Sequence, residues 1–157
     1  MMNGPGVRFP PPFLFAGAFL GGLALEKWVY RLPIAGTGAA LAPLGVLGAV
    51  TAAAGLALTA WSMLTFARAR TAIVPVFPAS RLVVSGPYRF SRNPMYVGLT
   101  ALHVGLALLL DVAWPLALLP PALAALYVFV VRREERYLSS AFGDDYRAYV
   151  RTVRRWI

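Results

Sequence analysis

An all-α membrane protein of about four transmembrane helices, ending in a carboxy-terminal helical hairpin and an interfacial amphipathic helix, is what this 157-residue sequence predicts. Three observations carry that prediction. Hydrophobic residues make up 59% and charged residues 13% of the chain, against roughly 45–50% and about 25% in soluble domains, so water is a poor solvent for it. Four long apolar runs recur, each close to the roughly 17–25 residues that a helix needs to cross about 30 Å of hydrocarbon. The basic residues gather on one side of those runs.

Pro12 to Tyr30 is the first run, and it ends in Glu26, Lys27, Trp28 and Tyr30, the mixture of charge and aromatic rings that marks a headgroup belt. With no small-x-small cleavage site before Glu26, it reads as a retained anchor and not a signal peptide. Leu41 to Phe66 is the second; Gly45, Gly48, Ala52 and Gly55 recur at three- to four-residue spacing and would let another helix come close. Ala67 to Pro94 contains Pro75, Pro78, Gly86, Pro87 and Pro94, which predicts an irregular loop. Met95 to Leu110 and Trp114 to Val131 then form a hairpin around Asp111, Val112 and Ala113. The third run spans only about 24 Å as an α-helix, and Pro120 and Pro121 predict a kink in the fourth. Beyond Gly143, Tyr146, Tyr149, Val150 and Val153 share one helical face while Arg147, Arg151, Arg154 and Arg155 surround it, the pattern of an interfacial helix. No repeat or linker divides the chain, so residues 1–157 read as one domain, with a helical pair over 1–66 and the loop, hairpin and tail over 67–157. Trp28, Trp61, Trp114 and Trp156 read as interface anchors or packing groups.

Fifteen Lys and Arg against six Asp and Glu give a formal charge of +9. Arg8, then Arg68, Arg70, Arg81, Arg89 and Arg92, then Arg132, Arg133, Arg136, Arg147, Arg151, Arg154 and Arg155 all fall on one side of the four runs, leaving Lys27 and Arg31 for the other. The positive-inside rule therefore puts both termini and the middle loop in the cytoplasm, and the Arg/Ala/Leu-rich composition suggests a bacterial inner membrane. The basic residues flank apolar runs and are not set in a recognition helix or an aromatic RNA-binding motif, so membrane lipids, and not nucleic acid, are the partners implied. Zero cysteines exclude disulfides and thiolate chemistry, and a single histidine argues against a protein-built metal site.

Two polar stretches carry the candidate chemistry. The first is Ser85-Gly86-Pro87-Tyr88-Arg89-Phe90-Ser91-Arg92-Asn93-Pro94-Met95-Tyr96-Val97-Gly98. Gly86-Pro87 makes a turn, Asn93 is a natural N-cap, and Pro94 starts a helix without losing a hydrogen bond. Each residue alone is explained by turn, cap or lipid anchoring; their concentration suggests a binding site. The second runs from Glu134 to Tyr149. Glu134 and Glu135 carry two readings of equal weight: ion pairs with nearby arginines, worth roughly 0–1 kcal/mol when exposed, or carboxylates that hold a cationic or hydroxyl-bearing ligand. His103, within the third run, reads first as a neutral histidine satisfied by a backbone carbonyl or Thr100.

Together the stretches read Gly86, Tyr88, Arg92, Asn93, Pro94, Tyr96, Gly98, then, after a helical hairpin, Glu134, Glu135, Leu138, Phe142, Gly143, Tyr146 and Tyr149. This resembles the integral-membrane methyltransferases typified by isoprenylcysteine carboxyl methyltransferase, with phospholipid N-methyltransferases as more distant relatives. The likeness covers about half the chain, from Arg81 to Ile157. It implies methyl transfer from S-adenosylmethionine to a lipophilic acceptor at the cytoplasmic boundary, and no Gly-x-Gly-x-x-Gly follows a strand to suggest a Rossmann site. By resemblance, Ser80, Arg81, Leu82, Val83, Tyr88, Asn93, Pro94, Met95, Tyr96 and Glu134 bind the cofactor. Arg92, Glu135 and Tyr146 do the catalytic work, and Arg132, Arg133 and His103 meet the substrate. Methyl transfer needs no metal; an amine or hydroxyl acceptor needs its lone pair freed, for which Glu135, Tyr146 or His103 are available.

The chain departs from the family pattern twice. Asn93 stands where the family has histidine, and it cannot titrate. Val130 stands where prenylcysteine enzymes carry an arginine for the substrate carboxylate, with Arg132 or Arg133 as replacements after a register shift. A carboxylate and an amine acceptor therefore both stand. The competing readings are a membrane reductase of related architecture that uses a nicotinamide cofactor, and a non-enzymatic membrane scaffold.

Overall fold

A computed structural model describes residues 6–7, 10–35, 41–72 and 77–157; Arg8 of the charge pattern and Pro75 of the loop lie outside them. Among the described residues the structure is helical, with no strand: α1 (Pro12–Trp28), α2 (Leu41–Ala69), a 3₁₀ turn (Gly86–Arg89), α3 (Pro94–Leu109), α4 (Trp114–Leu126), a π turn (Tyr127–Val131) and α5 (Arg132–Thr152). By length and composition, two helical stretches, Ala42–Ala69 and Trp114–Thr152, are long and apolar enough to cross a membrane. With 17 residues in α1 and 16 in α3, the other two expected crossings are short for a bilayer. α1 also stops at Trp28, two residues before the expected end, where the Val29 and Tyr30 amides both close back on the Leu25 carbonyl. α2 runs three residues past Phe66.

The chain gathers into two compact units, one of Pro12–Ala57 with Gly98–Ala124, the other of Met1–Pro11, Leu58–Val97 and Ala125–Ile157. In the first, small residues set the packing of α2 on α3, as their spacing predicts. A Cβ on Gly48 would run into the backbone of Leu109 and stand 2.8 Å from the Gly105 carbonyl oxygen, and one on Gly55 would stand 2.6 Å from the Gly98 carbonyl oxygen. Gly105 meets the backbone of Ala52 from the other side. Gly45, expected in the same stripe, faces open space, so the close approach begins one turn later. Gly48→Ala is accordingly expected to cost about 2 kcal/mol through overpacking, some 4–8 °C in Tm. Gly45→Ala is expected to leave Tm unchanged or slightly raised, because alanine is the better helix former. Thermal melts of the two variants in one detergent check the contrast.

The hairpin turn is built around Asp111. It takes φ of 53°, a left-handed conformation that Asp tolerates better than most residues, and its carboxylate accepts from the amides of Ile34 and Ala35 at 2.9 and 2.7 Å. The Ala113 amide donates to the Leu32 carbonyl at 2.9 Å, and Trp114 donates its indole N–H to the Tyr30 carbonyl at 2.8 Å. α4 continues through Pro120 and Pro121; the departure from α-helical geometry comes at the π turn, which begins at Tyr127.

In the second unit, Gly86 takes φ of +59°, and a Cβ there would lie 2.8 Å from Thr65 Oγ1. The turn can therefore sit close on α2 only with glycine at that position. Gly143 takes φ of 51° inside α5 and bends it. Beyond the bend Tyr146 and Tyr149 are buried, together with Tyr137 before it, whereas Val150 faces outward. The aromatic ridge of the predicted interfacial helix is thus packed into its own unit, and Arg147, Arg151 and Arg154 are left exposed.

Candidate functional site

All the residues of this site belong to the second unit. The 3₁₀ turn places the buried Tyr88 with its ring edge-on to Phe66, centroids 5.0 Å apart. Its backbone carbonyl accepts from the Tyr149 hydroxyl at 2.7 Å, which joins the loop to the far half of α5. The join is reinforced at the chain's end. The Arg92 amide donates to the Arg154 carbonyl, and the Asn93 side-chain amide donates to the Arg155 carbonyl, both at 2.9 Å. Asn93 thus stands before Pro94, and its carbonyl begins α3 by accepting from Tyr96 and Val97, but its side chain serves the carboxy-terminal tail. The Asn93 amide is itself bonded to Ser91 Oγ at 3.1 Å.

The two adjacent glutamates have separate surroundings. Glu135 receives Arg92 Nη1 at 3.0 Å and a two-pronged contact from Arg155, Nε at 2.8 Å and Nη2 at 2.9 Å. Both of its oxygens are taken by guanidinium donors, so it clamps Arg92 and Arg155 together. The Glu135 bond in turn raises the pKa of Arg155, whose guanidinium lies 5.3 Å from the Tyr127 ring centroid. Glu134 instead accepts the Tyr96 hydroxyl at 3.3 Å. Burial, aided by the charge of Glu135 and opposed by the Tyr96 bond, pushes its carboxyl up to about 7.

A cleft of about 550 Å³, counted with its open mouth, brings these parts together. Arg81, Leu82, Val83, Tyr88, Arg92 and Glu134 line it, six of the positions singled out in the sequence. Phe66, Ala72, Phe77, Ala79, Tyr137, Leu138 and Tyr149 complete the wall. Burial, with the negative charge of Glu134, holds the Tyr88 phenol protonated far above its usual range, and burial does the same for Tyr149. Burial and the Glu135 charge also raise Tyr146, although Arg92 opposes them. Tyr146, which the sequence offered as a base, therefore holds its proton more tightly than a free phenol does. The Arg92 Nε–H is buried and has no partner among the described residues.

Other predicted positions lie away from the cleft wall. Ser80 bonds to Thr71 Oγ1 through its amide at 3.0 Å and to the Arg70 carbonyl through its hydroxyl at 3.3 Å. Asn93 and Pro94 are buried, and neither they nor Met95 line the cleft. Tyr96 reaches it through Glu134. Arg132 is exposed, and Arg133 donates to the Gly6 carbonyl at 2.8 Å; Arg81 and Arg92 are the guanidinium groups of the wall. Val130 is fully buried in the π turn. His103 belongs to the other unit, where Nε2 lies 2.9 Å from the Pro115 carbonyl oxygen; the sequence reading offered a backbone carbonyl or Thr100 as its partner.

Tyr137 was not singled out from sequence, and Leu138 and Arg155 were named there, in the family pattern and the basic helical face, without a role in the site. The first two follow Glu134 by three and four residues, so helical spacing alone marks them as sharing its face. Arg155 has no comparable signal, because its pairing with Glu135 depends on where the chain end docks.

The phospholipid methyltransferase family model matches residues 44–145, more than half of the chain. Among curated proteins, one from Cupriavidus metallidurans named cobalt-zinc-cadmium resistance protein CzcN is 40% identical over 63 residues, covering 40% of this chain and 29% of its own length. An uncharacterized protein from Haemophilus influenzae is 59% identical over 29 residues, covering 18% of this chain and 46% of its own. The chain thus spans less than half the length of either relative.

Proposed function

The chain belongs to the phospholipid methyltransferase family, within the isoprenylcysteine carboxyl methyltransferase-like membrane methyltransferases, and from that premise we propose that it moves a methyl group from S-adenosylmethionine to a lipophilic acceptor at the cytoplasmic boundary of the membrane. The observation that carries the proposal is the cleft in which Tyr88, Tyr137, Tyr149, Glu134, Arg81 and Arg92 converge from the middle loop and α5. Its donor set fits this cofactor. Aromatic faces stabilise a sulfonium as they do other onium ions, Glu134 suits an ammonium or ribose hydroxyls, and the unpartnered Arg92 Nε–H suits a carboxylate.

S-adenosylmethionine supplies a methyl group on a cationic sulfur. The work of the protein is then to position an acceptor lone pair in line with the breaking C–S bond and to keep water out. Glu135 serves this by fixing Arg92, so that the guanidinium reaches the cleft in one orientation. The lack of a free base at Glu135 or Tyr146 favours an acceptor that presents its lone pair unaided, a carboxylate or an unprotonated amine. In this reading α1, α2, α3 and α4 cross the bilayer, and the uneven placement of arginines puts the cleft on the cytoplasmic side. The family match gives no support to the reductase or scaffold readings.

The test supplies the protein, in lipid nanodiscs, with methyl-labelled S-adenosylmethionine and three acceptor classes: prenylated thiol acids, aminophospholipids and simple long-chain amines. Label is expected in one class and is expected to be lost in Tyr88→Ala. No transfer to any class, with no cofactor binding by calorimetry, would overturn the reading.

A further inference from the structure

Inside the first unit, α1 and α3 border an apolar groove of about 660 Å³, counted with its open side. Phe15, Phe19, Leu99, Leu102 and Leu106 line it, and His103 is the one titratable residue among its walls. His103 is only 3% exposed. Its Nε2 lies 2.9 Å from the Pro115 carbonyl oxygen, which can only accept, so the imidazole proton sits on Nε2 and Nδ1 carries a lone pair. Nδ1 is buried with no hydrogen-bond partner among the described residues. Phe19 and Phe15 stand edge-on to the imidazole, at centroid distances of 5.0 and 6.4 Å.

An acceptor left without a donor in apolar surroundings is costly, and polar side chains inside membrane helices usually serve a ligand or a pathway. With α3 crossing the bilayer, as proposed above, His103 lies nine residues past Pro94, about 14 Å along the helix and deeper than phosphate and ester groups sit. The groove has apolar walls, and His103 Nδ1 lies behind them as an acceptor without a donor among the described residues. We propose that it binds a lipophilic alcohol, a long or fused-ring hydrocarbon whose hydroxyl donates to His103 Nδ1. Because the nitrogen has no exposed surface of its own, the hydroxyl reaches Nδ1 only as the side chains covering it move aside. An ether or ester of the same shape brings only acceptors and would set lone pair against lone pair. The proposal uses no residue of the cleft and stands independently of methyl transfer.

The chain has one histidine, so ¹⁵N-histidine labelling of tag-free protein in nanodiscs reports this site alone. Titration with 1-hexadecanol is expected to move the Nδ1 resonance upfield, toward the hydrogen-bonded range, while Nε2 stays protonated. Methyl hexadecyl ether is expected to leave Nδ1 in place. A hexadecanol carrying a diazirine in its chain is expected to label α1 and α3 peptides on the order of tenfold more than its methyl ether does. No movement of Nδ1 with the alcohol, or equal movement or labelling with the ether, would overturn the proposal.

Discussion

Glu134→Gln is expected to weaken S-adenosylmethionine binding by about ten- to a hundredfold, the range set by losing one charge-assisted hydrogen bond in a desolvated site. Calorimetry on nanodisc-embedded protein measures it, and the pH dependence makes the reading specific. The Glu134 carboxyl titrates near 7, so in the wild type the fraction ionised falls as pH drops from 8 to 6, and affinity for a cationic ligand falls with it. The glutamine variant is expected to bind weakly with no such slope. Stability of the ligand-free protein runs the other way. The folded carboxyl holds its proton to higher pH than the unfolded one, so this residue's contribution worsens as pH rises from about 4.5 to about 7. Tyr96→Phe removes a bond that lowers the Glu134 pKa, and is expected to shift the binding profile to higher pH. Affinity within twofold of wild type in both Glu134→Gln and Tyr88→Ala would rule out the cleft as the cofactor site.

Glu135→Ala is expected to act on stability first. It leaves the guanidinium groups of Arg92 and Arg155, 12% and 36% exposed as side chains, without their shared counter-ion. Breaking a fully buried pair costs about 3–5 kcal/mol; the exposure of Arg155 reduces this to about 2 kcal/mol here. The corresponding fall in Tm is roughly 4–8 °C. Binding is expected to weaken as well, because Arg92 loses its orientation, and the double variant Glu135→Ala/Arg155→Ala is expected to recover part of the stability by removing one orphaned charge. Tm unchanged in Glu135→Ala would mean that the clamp contributes nothing.

What the sequence made legible was the meeting of the loop with α5. Tyr88, Arg92 and Glu134 carried the family spacing across the hairpin, and six of the residues given a site role by the resemblance line one cleft. The fate of the two glutamates was not legible. One residue apart on a helix is about 100° of rotation, enough to send Glu135 to the arginines and Glu134 to Tyr96, and only tertiary packing decides which goes where. Arg132 and Arg133 were equally plausible by count, yet neither side chain reaches the cleft wall. Of the face read from the last helix, Tyr146 and Tyr149 are buried together while Val150 faces outward and Val153 lies past the helix end, and hydrophobic spacing does not distinguish a face turned to lipid from one turned to protein. Tyr146 and Tyr149 chose protein.

The widened turn at Tyr127–Val131 sits immediately before the first charged residue of α5. Such a turn holds one residue more than α-helical winding would, and everything after it is dialled around the axis by about a hundred degrees. It works as a phase shifter: the apolar stripe upstream and the cleft-lining stripe downstream need not obey one common periodicity. Each can change by substitution without dragging the other out of alignment. A single-residue deletion within those five positions would preserve every side chain of the cleft wall and still aim Glu134 at the wrong neighbour.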